Sequence, residues 1–184
     1  MFNNEENVFF IGDFDESLER EVAIPLIRQI QKQRRLSNGR IDLHINSFGG
    51  HVHLMQQLVE YVEIAKSDGI VVRTIVPAVA FSAGSMLAVT GTPGFRYIGR
   101  AGEHLVHYGQ TASFETTPTQ IQRLSAWKER GFKTNIAHYK KYCDIPDLEK
   151  RMEDDGFFVV ARDAIKWSMA DKYLDKFDLG EYVD

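Results

Sequence analysis

Residues 41–59 read IDLHINSFGGHVHLMQQLV, and this stretch decides how the rest of the chain is interpreted. Apolar residues alternate with polar ones over 41–45, which predicts a strand. The double glycine at 49–50 ends it, and an amphipathic helical pattern follows as far as residue 67. A strand that passes through a glycine turn into a helix is typical of α/β domains with parallel strands.

The same alternation continues on both sides of this stretch. We predict a strand at 8–11, a helix at 17–35 that Pro25 kinks or begins, and a β-branched buried strand at 70–76. Further predicted elements are a small-residue buried helix at 82–90, strands at 95–98 and 105–106, and helices at 119–142 and 161–170. No repeat or linker interrupts the order, so we expect a single domain over residues 1–184.

Composition narrows the class of protein. The chain has 184 residues, of which 43% are hydrophobic and 26% charged, as in ordinary globular domains. Its formal net charge of −4 argues against binding to nucleic-acid phosphates or anionic lipid. No apolar run approaches the ~20 residues of a membrane span, and the acidic first residues do not form a secretory signal. With Cys143 as the single cysteine, we expect a cytoplasmic protein.

The turn at residues 46–50 is the first candidate for chemistry. Because glycine has no Cβ, backbone N–H groups at Gly49 and Gly50 are able to face an anion or a developing oxyanion. Taken alone, the pattern fits a plain tight connection between strand and helix equally well.

The second candidate is the turn AFSAGS at residues 80–85, which follows the predicted strand 70–76. A serine in a small-residue turn before a helix is well placed as a nucleophile, and the amide of Ala83 is then available to bind an oxyanion. Ser82 also fits the role of a helix N-cap, and Ser85 competes with it for the role of nucleophile.

The third candidate is the segment HLVH at residues 104–107. We expect His104 and His107 to lie on the same face of a strand, opposite Val106, where either is a candidate base. Each of them, taken singly, also fits a structural histidine.

We predict neither a metal ion nor an organic cofactor. Three further histidines stand close together in the sequence, but no carboxylate or thiol lies at a familiar ligand spacing from them. A surface location is the simpler interpretation of His44, His51 and His53.

The three candidate segments, in this order, resemble the Clp protease proteolytic subunit, a self-compartmentalising serine peptidase. In that family a strand ending in I-N-S-P-G-G is followed by the turn A-S-M-G-A and then by a strand ending in M-I-H. Residues 45–50, 81–85 and 107 match these motifs, and the interval from Ser82 to His107 is 25 residues, as in the family. The likeness extends from Val8 to about residue 171. It implies a crotonase-like α/β fold, a spiral of β-β-α units with a protruding handle region at about 108–142.

The resemblance also assigns roles to particular residues. It implies that Ser82 attacks a peptide carbonyl, while His107 takes the proton and passes it to the leaving amine. The amides of Gly50 and Ala83 form the implied oxyanion hole. An extended substrate pairs as an added strand beside the segment after the double glycine. The substrate-binding residues implied in this way are Gly49, His51 and Val52.

The acid of the triad is the one catalytic position that the motifs leave open. Counted without gaps, the family's aspartate falls on Gly156. A one-residue gap within 157–161 places it on Asp155, which is our choice, and Asp154 is the adjacent alternative. Both carboxylates also fit an acidic surface turn, in which case no acid orients His107.

Other departures from the family concern its ATPase partner. Family members carry an axial hairpin before the first strand, whereas seven residues precede Val8 here. Asp42 and His44 stand on the stretch where the family builds an aromatic pocket for the loops of a Clp-type ATPase. A Clp-type ATPase is the partner that the resemblance implies, but these docking features are missing. Short, divergent copies of this kind resemble phage-encoded members.

The predicted helix 119–142 corresponds to the handle that joins two heptameric rings in the family. Phe48 replaces the family's proline, and residues 108–114 replace its glycine-rich stretch after the catalytic histidine. The helix is polar apart from one apolar stripe, which fits either a contact between rings or packing on the protein's own core. The stripe consists of Leu124, Trp127, Phe132, Ile136 and Tyr139.

The sequence therefore predicts a serine endopeptidase that cuts unfolded proteins or short peptides inside a homo-oligomeric, heptameric ring. Three alternatives stay open. One is a catalytically weak or inactive ring subunit with a structural or regulatory role. The second is an acyl-CoA enzyme of the same fold, although no acid or base carboxylate lies in the oxyanion turn itself. The third is a binding module that forms no ring.

Overall fold

The computed structural model describes residues 7–109 and 117–175, and the predicted alternation of strands and helices is confirmed there. The strands are β1 (Val8–Ile11), β2 (Arg40–Ile45), β3 (Val71–Val76), β4 (Val79–Phe81), β5 (Arg96–Ile98), β6 (Glu103–Val106), β7 (Phe157–Val160) and β8 (Lys172–Tyr173). The helices are α1 (Ile24–Gln33), α2 (Val52–Ser67), α3 (Ala83–Val89), α4 (Pro118–Tyr142), α5 (Leu148–Glu153) and α6 (Ala161–Lys166).

Five parallel strands form the larger sheet, in the order β1-β2-β3-β5-β8. Parallel strands need crossover connections, and α1, α2 and α3 supply them in this sheet. Pro25 lies in the first turn of α1, where its missing N–H is not needed, and a π-helical turn at Glu19–Ala23 precedes it. Residues from both layers form the core, among them Leu26, Leu43, Leu58, Ile75 and Leu87.

The smaller sheet has the order β4-β6-β7 and positions the candidate site. β4 pairs parallel with β6, so that Phe81 lies beside Leu105, and β7 pairs antiparallel with β6 on its other side. The ends of β4 and β6 therefore bring the serine turn and His107 to the same edge of this sheet.

The expectation that His104 and His107 share a strand face is wrong. Side chains alternate along a strand with a period of two, so His104 shares its face with Val106, and both are fully buried. His107 follows the last residue of β6 and lies half-buried at its end.

The handle prediction corresponds to α4, a helix of 25 residues that begins with a capping box between Thr117 and Gln120. Its apolar stripe divides into two parts. Ile136 and Tyr139 are buried in the core, whereas Trp127 is 49% exposed. Residues 110–114 of the replaced glycine-rich stretch lie outside the described residues, as do residues 1–6 before the first strand.

The stretch that departs from the family's aromatic pocket carries a buried ion pair. Arg73 donates to both carboxylate oxygens of Asp42, at 2.8 and 2.7 Å, and both side chains are buried. His44 stacks on Phe10 with 5.1 Å between ring centroids. None of the helices in the described ranges is long and apolar enough to cross a bilayer.

Candidate active site

The candidate nucleophile Ser82 stands at the junction between β4 and α3. Its N–H donates to the carbonyl of Leu105 at 2.9 Å, which continues the β4–β6 ladder one residue past Phe81. The backbone then turns with φ 55° and ψ −117°, a conformation that residues other than glycine rarely adopt. The helix α3 begins at the next residue, so a strand and a helix meet with no loop between them.

The glycine turn is fixed on two sides. On one side, Phe14 N–H donates to the Gly49 carbonyl and His51 N–H donates to the Phe14 carbonyl, both at 2.8 Å. On the other side, Ser47 forms a bridge with β4 and its hydroxyl accepts from the Gly49 N–H at 3.0 Å. The two Phe14 bonds flank Gly50, so its own N–H takes no part in this pairing.

Both implied oxyanion donors are available in this arrangement. Gly50 has φ 135°, and a Cβ there would lie 2.5 Å from the Phe14 carbonyl oxygen, so only glycine allows the turn. Ala83 is the first residue of α3, and the first N–H groups of a helix have no partner within the helix. Gly49 packs against the nucleophile, because a Cβ there would lie 2.8 Å from the Ser82 Cβ.

A small cavity of about 90 Å³ brings the predicted groups together. Ser82, His107 and the two oxyanion residues Gly50 and Ala83 all line it. Val52, Met55 and Met86 supply the apolar part of its wall, beside the polar groups of the serine, the histidine and Asn135.

The candidate base His107 is held by close packing on its backbone side. A Cβ on Gly156 would lie 2.3 Å from the His107 Cβ, so the turn before β7 reaches the histidine only because residue 156 is glycine. His107 Nε2 is buried and has no hydrogen-bond partner within the described ranges. Burial lowers the pKa of His107, so the ring favours the neutral form that a general base needs.

Asp155 lies next to this contact, in a left-handed conformation with φ 69°. Together with His107 it lines a second cavity, of about 710 Å³, that extends to the side of α4. Both aspartates are exposed, but Asp154, which caps the end of α5, does not line this cavity. Asp155, rather than its neighbour, therefore borders the same space as the candidate base.

The catalytic candidates are neighbours without being hydrogen-bonded to one another. Among the described residues, the Ser82 hydroxyl makes no hydrogen bond to His107, and no carboxylate is bonded to the His107 ring. Hydrogen bonds of this kind are often long in unliganded enzymes and tighten when substrate binds.

A third cavity, of about 730 Å³, continues from the small one. The implied substrate residues His51 and Val52 line it together with Gly50, and Trp127 and Gly131 of α4 form its far side. The two cavities share Gly50, Val52 and Asn135 in their linings.

Two residues of the site were missed in the sequence. Tyr108 lines all three cavities, and its hydroxyl donates to the Lys128 carbonyl of α4. Asn135 of α4 lines the two cavities on either side of Val52. Tyr108 could have been predicted as a site residue, because it directly follows His107 in the sequence. Asn135 gave no such signal, because one polar residue beside a helical stripe is common.

The other sequence candidates supply neither a second nucleophile nor a metal site. Ser85 is fully buried and lines none of the three cavities, so it is not an accessible nucleophile. His51 and His53 are exposed and stack with 5.4 Å between ring centroids. Over residues 7–109 and 117–175, no group of three or more histidine, cysteine or acidic side chains has a geometry suited to a metal ion.

Comparisons with known proteins agree with this geometry. The family model described as Clp protease matches residues 1–176. An ATP-dependent Clp protease proteolytic subunit of Deinococcus radiodurans is 25% identical over 174 residues, which cover 93% of this chain and 81% of that protein. The proteolytic subunit of Streptococcus mutans is 29% identical over 144 residues, or 76% of this chain and 70% of that protein. Proteolytic subunit 2 of Bacillus licheniformis is 27% identical over 176 residues, covering 92% and 86% respectively.

A strand-to-helix turn that carries a serine, with glycine amides and a histidine around one small cavity, defines a hydrolase-type site on an α/β fold. The chain belongs to the Clp protease family. The predicted crotonase-like fold is thereby confirmed, with α4 in agreement with the protruding handle helix.

Proposed function

We propose that this chain is a serine-type endopeptidase in which Ser82, His107 and Asp155 form the catalytic triad. The observation that carries the proposal is the shared space around His107. One cavity next to it contains Ser82 and both oxyanion residues, and the other contains Asp155.

The proposed reaction has two steps. Ser82 Oγ attacks the peptide carbonyl carbon while His107 accepts the hydroxyl proton, and the C–N bond then breaks as His107 returns the proton to the leaving amine. Water, activated by His107, hydrolyses the acyl-enzyme and regenerates Ser82. The N–H groups of Gly50 and Ala83 stabilise the oxyanion, at about 3 kcal/mol for each donor.

We further propose that Asp155 orients the His107 ring when substrate is bound. Both side chains border the same cavity, and a carboxylate partner would stabilise the imidazolium form. Loss of a triad aspartate slows catalysis by about 10⁴-fold, which sets the scale for a test.

The test is labelling of Ser82 by a fluorophosphonate probe, followed by intact mass. We expect stoichiometric labelling of the wild type and none of Ser82→Ala. Labelling of Asp155→Asn should be about 10⁴-fold slower, whereas the matched variant Asp154→Asn should label at the wild-type rate.

Each outcome distinguishes the proposal from an inactive ring subunit. A folded wild-type protein that is not labelled contradicts the peptidase assignment and favours the subunit with a structural role. Equal rates for the two aspartate variants remove Asp155 from the triad without affecting Ser82 and His107.

The proposal extends to assembly and location. From the similarity to ATP-dependent Clp protease proteolytic subunits, we propose a homo-oligomeric, heptameric ring that acts on unfolded proteins or short peptides in the cytoplasm. The buried Asp42–Arg73 pair supports a further proposal, that a loop of a Clp-type ATPase does not dock on that part of β2 and β3.

A further inference from the structure

A second serine–histidine pair is buried next to the proposed catalytic pair. Ser85 follows Ser82 by three residues on α3, and His104 precedes His107 by three residues on β6. The Ser85 hydroxyl and His104 Nδ1 are 3.1 Å apart, and neither residue has exposed surface. Each pair therefore has its serine in or next to α3 and its histidine in or next to β6.

This buried pair is not a second active site. Neither Ser85 nor His104 lines any of the three cavities, so no substrate reaches them. Tyr139 of α4, also buried, lies beside the Ser85 hydroxyl and adds a third element to the cluster.

The pair is a poor source of stability. His104 Nε2 is buried and has no hydrogen-bond partner within the described part of the chain. A buried polar atom without a partner loses its hydration and gains nothing in return, so an apolar residue at position 104 would avoid this penalty. The imidazole instead restrains geometry. Its hydrogen bond to Ser85 depends on both distance and angle, whereas an apolar contact allows α3 and β6 to shift relative to each other.

We propose that Ser85 and His104 are positioning residues that lock α3 against β6 and so hold Ser82 within reach of His107. Beside the lock, the Ser82 N–H to Leu105 carbonyl bond joins the same elements at the surface of the site. A shift of about 1 Å between reacting groups can slow catalysis by about 10²-fold. The catalytic consequence rests on the proposed function, but the lock itself does not.

The test compares two substitutions at position 104. His104→Leu keeps the volume and removes both the hydrogen bond and the unpartnered nitrogen. His104→Asn is the matched control, because its side-chain amide retains a polar group able to bond Ser85. For both variants, two quantities are measured on the full chain: the rate of fluorophosphonate labelling at Ser82, and the hydrogen-exchange rate of the Ser82 amide by nuclear magnetic resonance.

A positioning role gives a specific pattern. His104→Leu should label at least tenfold more slowly and exchange the Ser82 amide at least tenfold faster. The exchange rate in α2 should not rise above that of the wild type, and the melting temperature should not fall below it. His104→Asn should stay within threefold of wild type in both rates. A residue that only fills the core would leave both rates unchanged in the folded leucine variant.

The two measurements also separate this inference from the peptidase proposal. If the wild type does not label at all, the peptidase proposal fails and the exchange rate alone decides whether the lock exists. If the Ser82 amide of His104→Leu exchanges at the wild-type rate, the Ser85–His104 pair does not hold α3 against β6. If exchange is faster but labelling of Ser82 is unchanged, the pair does not position the nucleophile. If His104→Leu does not fold, Ser85→Ala is measured against the same two limits.

Discussion

At the scale of single residues, two consecutive positions with positive φ bring the candidate acid to the candidate base. Asp155 has φ 69° and Gly156 has φ 92°. Only the second position excludes every side chain, because a Cβ there would lie 2.3 Å from the His107 Cβ and 2.5 Å from the Val106 carbonyl oxygen. The fit of the turn against His107 therefore depends on one missing methyl group.

We expect Gly156→Ala to lower the free energy of unfolding by about 3 kcal/mol or more and to slow labelling of Ser82 by at least tenfold. Gly94→Ala is the matched control, since Gly94 has φ 87° but no atom within 4 Å of its Cβ position. Gly94→Ala should lower the free energy of unfolding by about 1 kcal/mol, because only the positive φ disfavours alanine there. Urea denaturation measures both values, and equal losses would contradict the packing argument.

The residue scale is where the sequence predicted most of the site and also where it failed. Ser82, His107 and the two oxyanion glycine and alanine positions follow from motif order and spacing, and they do line one cavity. The position of Asp155 depends on backbone turn geometry that a gap count does not contain, although Asp-Gly is a turn signal. The prediction that His104 shares a strand face with His107 was wrong, because a period of two pairs His104 with Val106 instead.

At the scale of elements, α4 combines two environments in one helix. Its last turns are anchored in the core through Ile136 and Tyr139, whereas most side chains of its first half are exposed. Two large apolar residues of that half, Ile121 and Trp127, are 55% and 49% exposed. An exposed apolar surface on a protruding helix is typical of a contact between proteins.

We expect Ile121→Glu to weaken self-association at least tenfold, because it places a charge on the exposed apolar surface without touching any of the three cavities. Gln122→Glu adds the same charge at the next, already polar position and should leave association unchanged. Sedimentation velocity over a concentration series gives the comparison. Identical profiles for the two variants would argue that this half of α4 makes no contact between subunits.

The sequence predicted the helices α2 to α4 and the short strands β1 and β5, but it missed several other short elements. The bounds of α2, α3 and α4 agree with the predicted helices to within two residues, because hydrophobic periodicity accumulates over several turns. The strands β4 and β7 and the helix α5 have three to six residues each and were missed. Their existence depends on pairing with β6 and on packing, which no local pattern contains.

At the scale of the whole molecule, buried neutral histidines make stability depend on pH. Burial lowers the pKa of His104 to about 4, and it also lowers the pKa of His44, His107 and His138. In the unfolded chain these groups bind a proton near pH 6.5, so the unfolded state holds more protons below that pH. The stability present above pH 6.5 is therefore lost as the pH falls toward 4.

We expect the free energy of unfolding to fall by roughly 3 kcal/mol between pH 7.5 and 4 on account of His104 alone. The measurement is urea denaturation at each pH for the wild type and His104→Leu, since their difference cancels the other three histidines. The variant should show a shallower pH dependence by this amount. Parallel curves would mean that the pKa of His104 is the same in the folded and the unfolded state.

The backbone of Ser82 has a consequence for how this protein could change over time. Its φ of 55° with ψ −117° suits glycine and strains every other residue. We therefore expect the Ser82→Gly protein to be more stable than the Ser82→Ala protein, by about 1 kcal/mol in free energy of unfolding. Calorimetry on the two variants measures the difference, and the alanine protein melting at the higher temperature would contradict it. Any side chain at this position costs stability, so in a lineage that no longer used the hydroxyl, replacement of the serine by glycine would be the stabilising change.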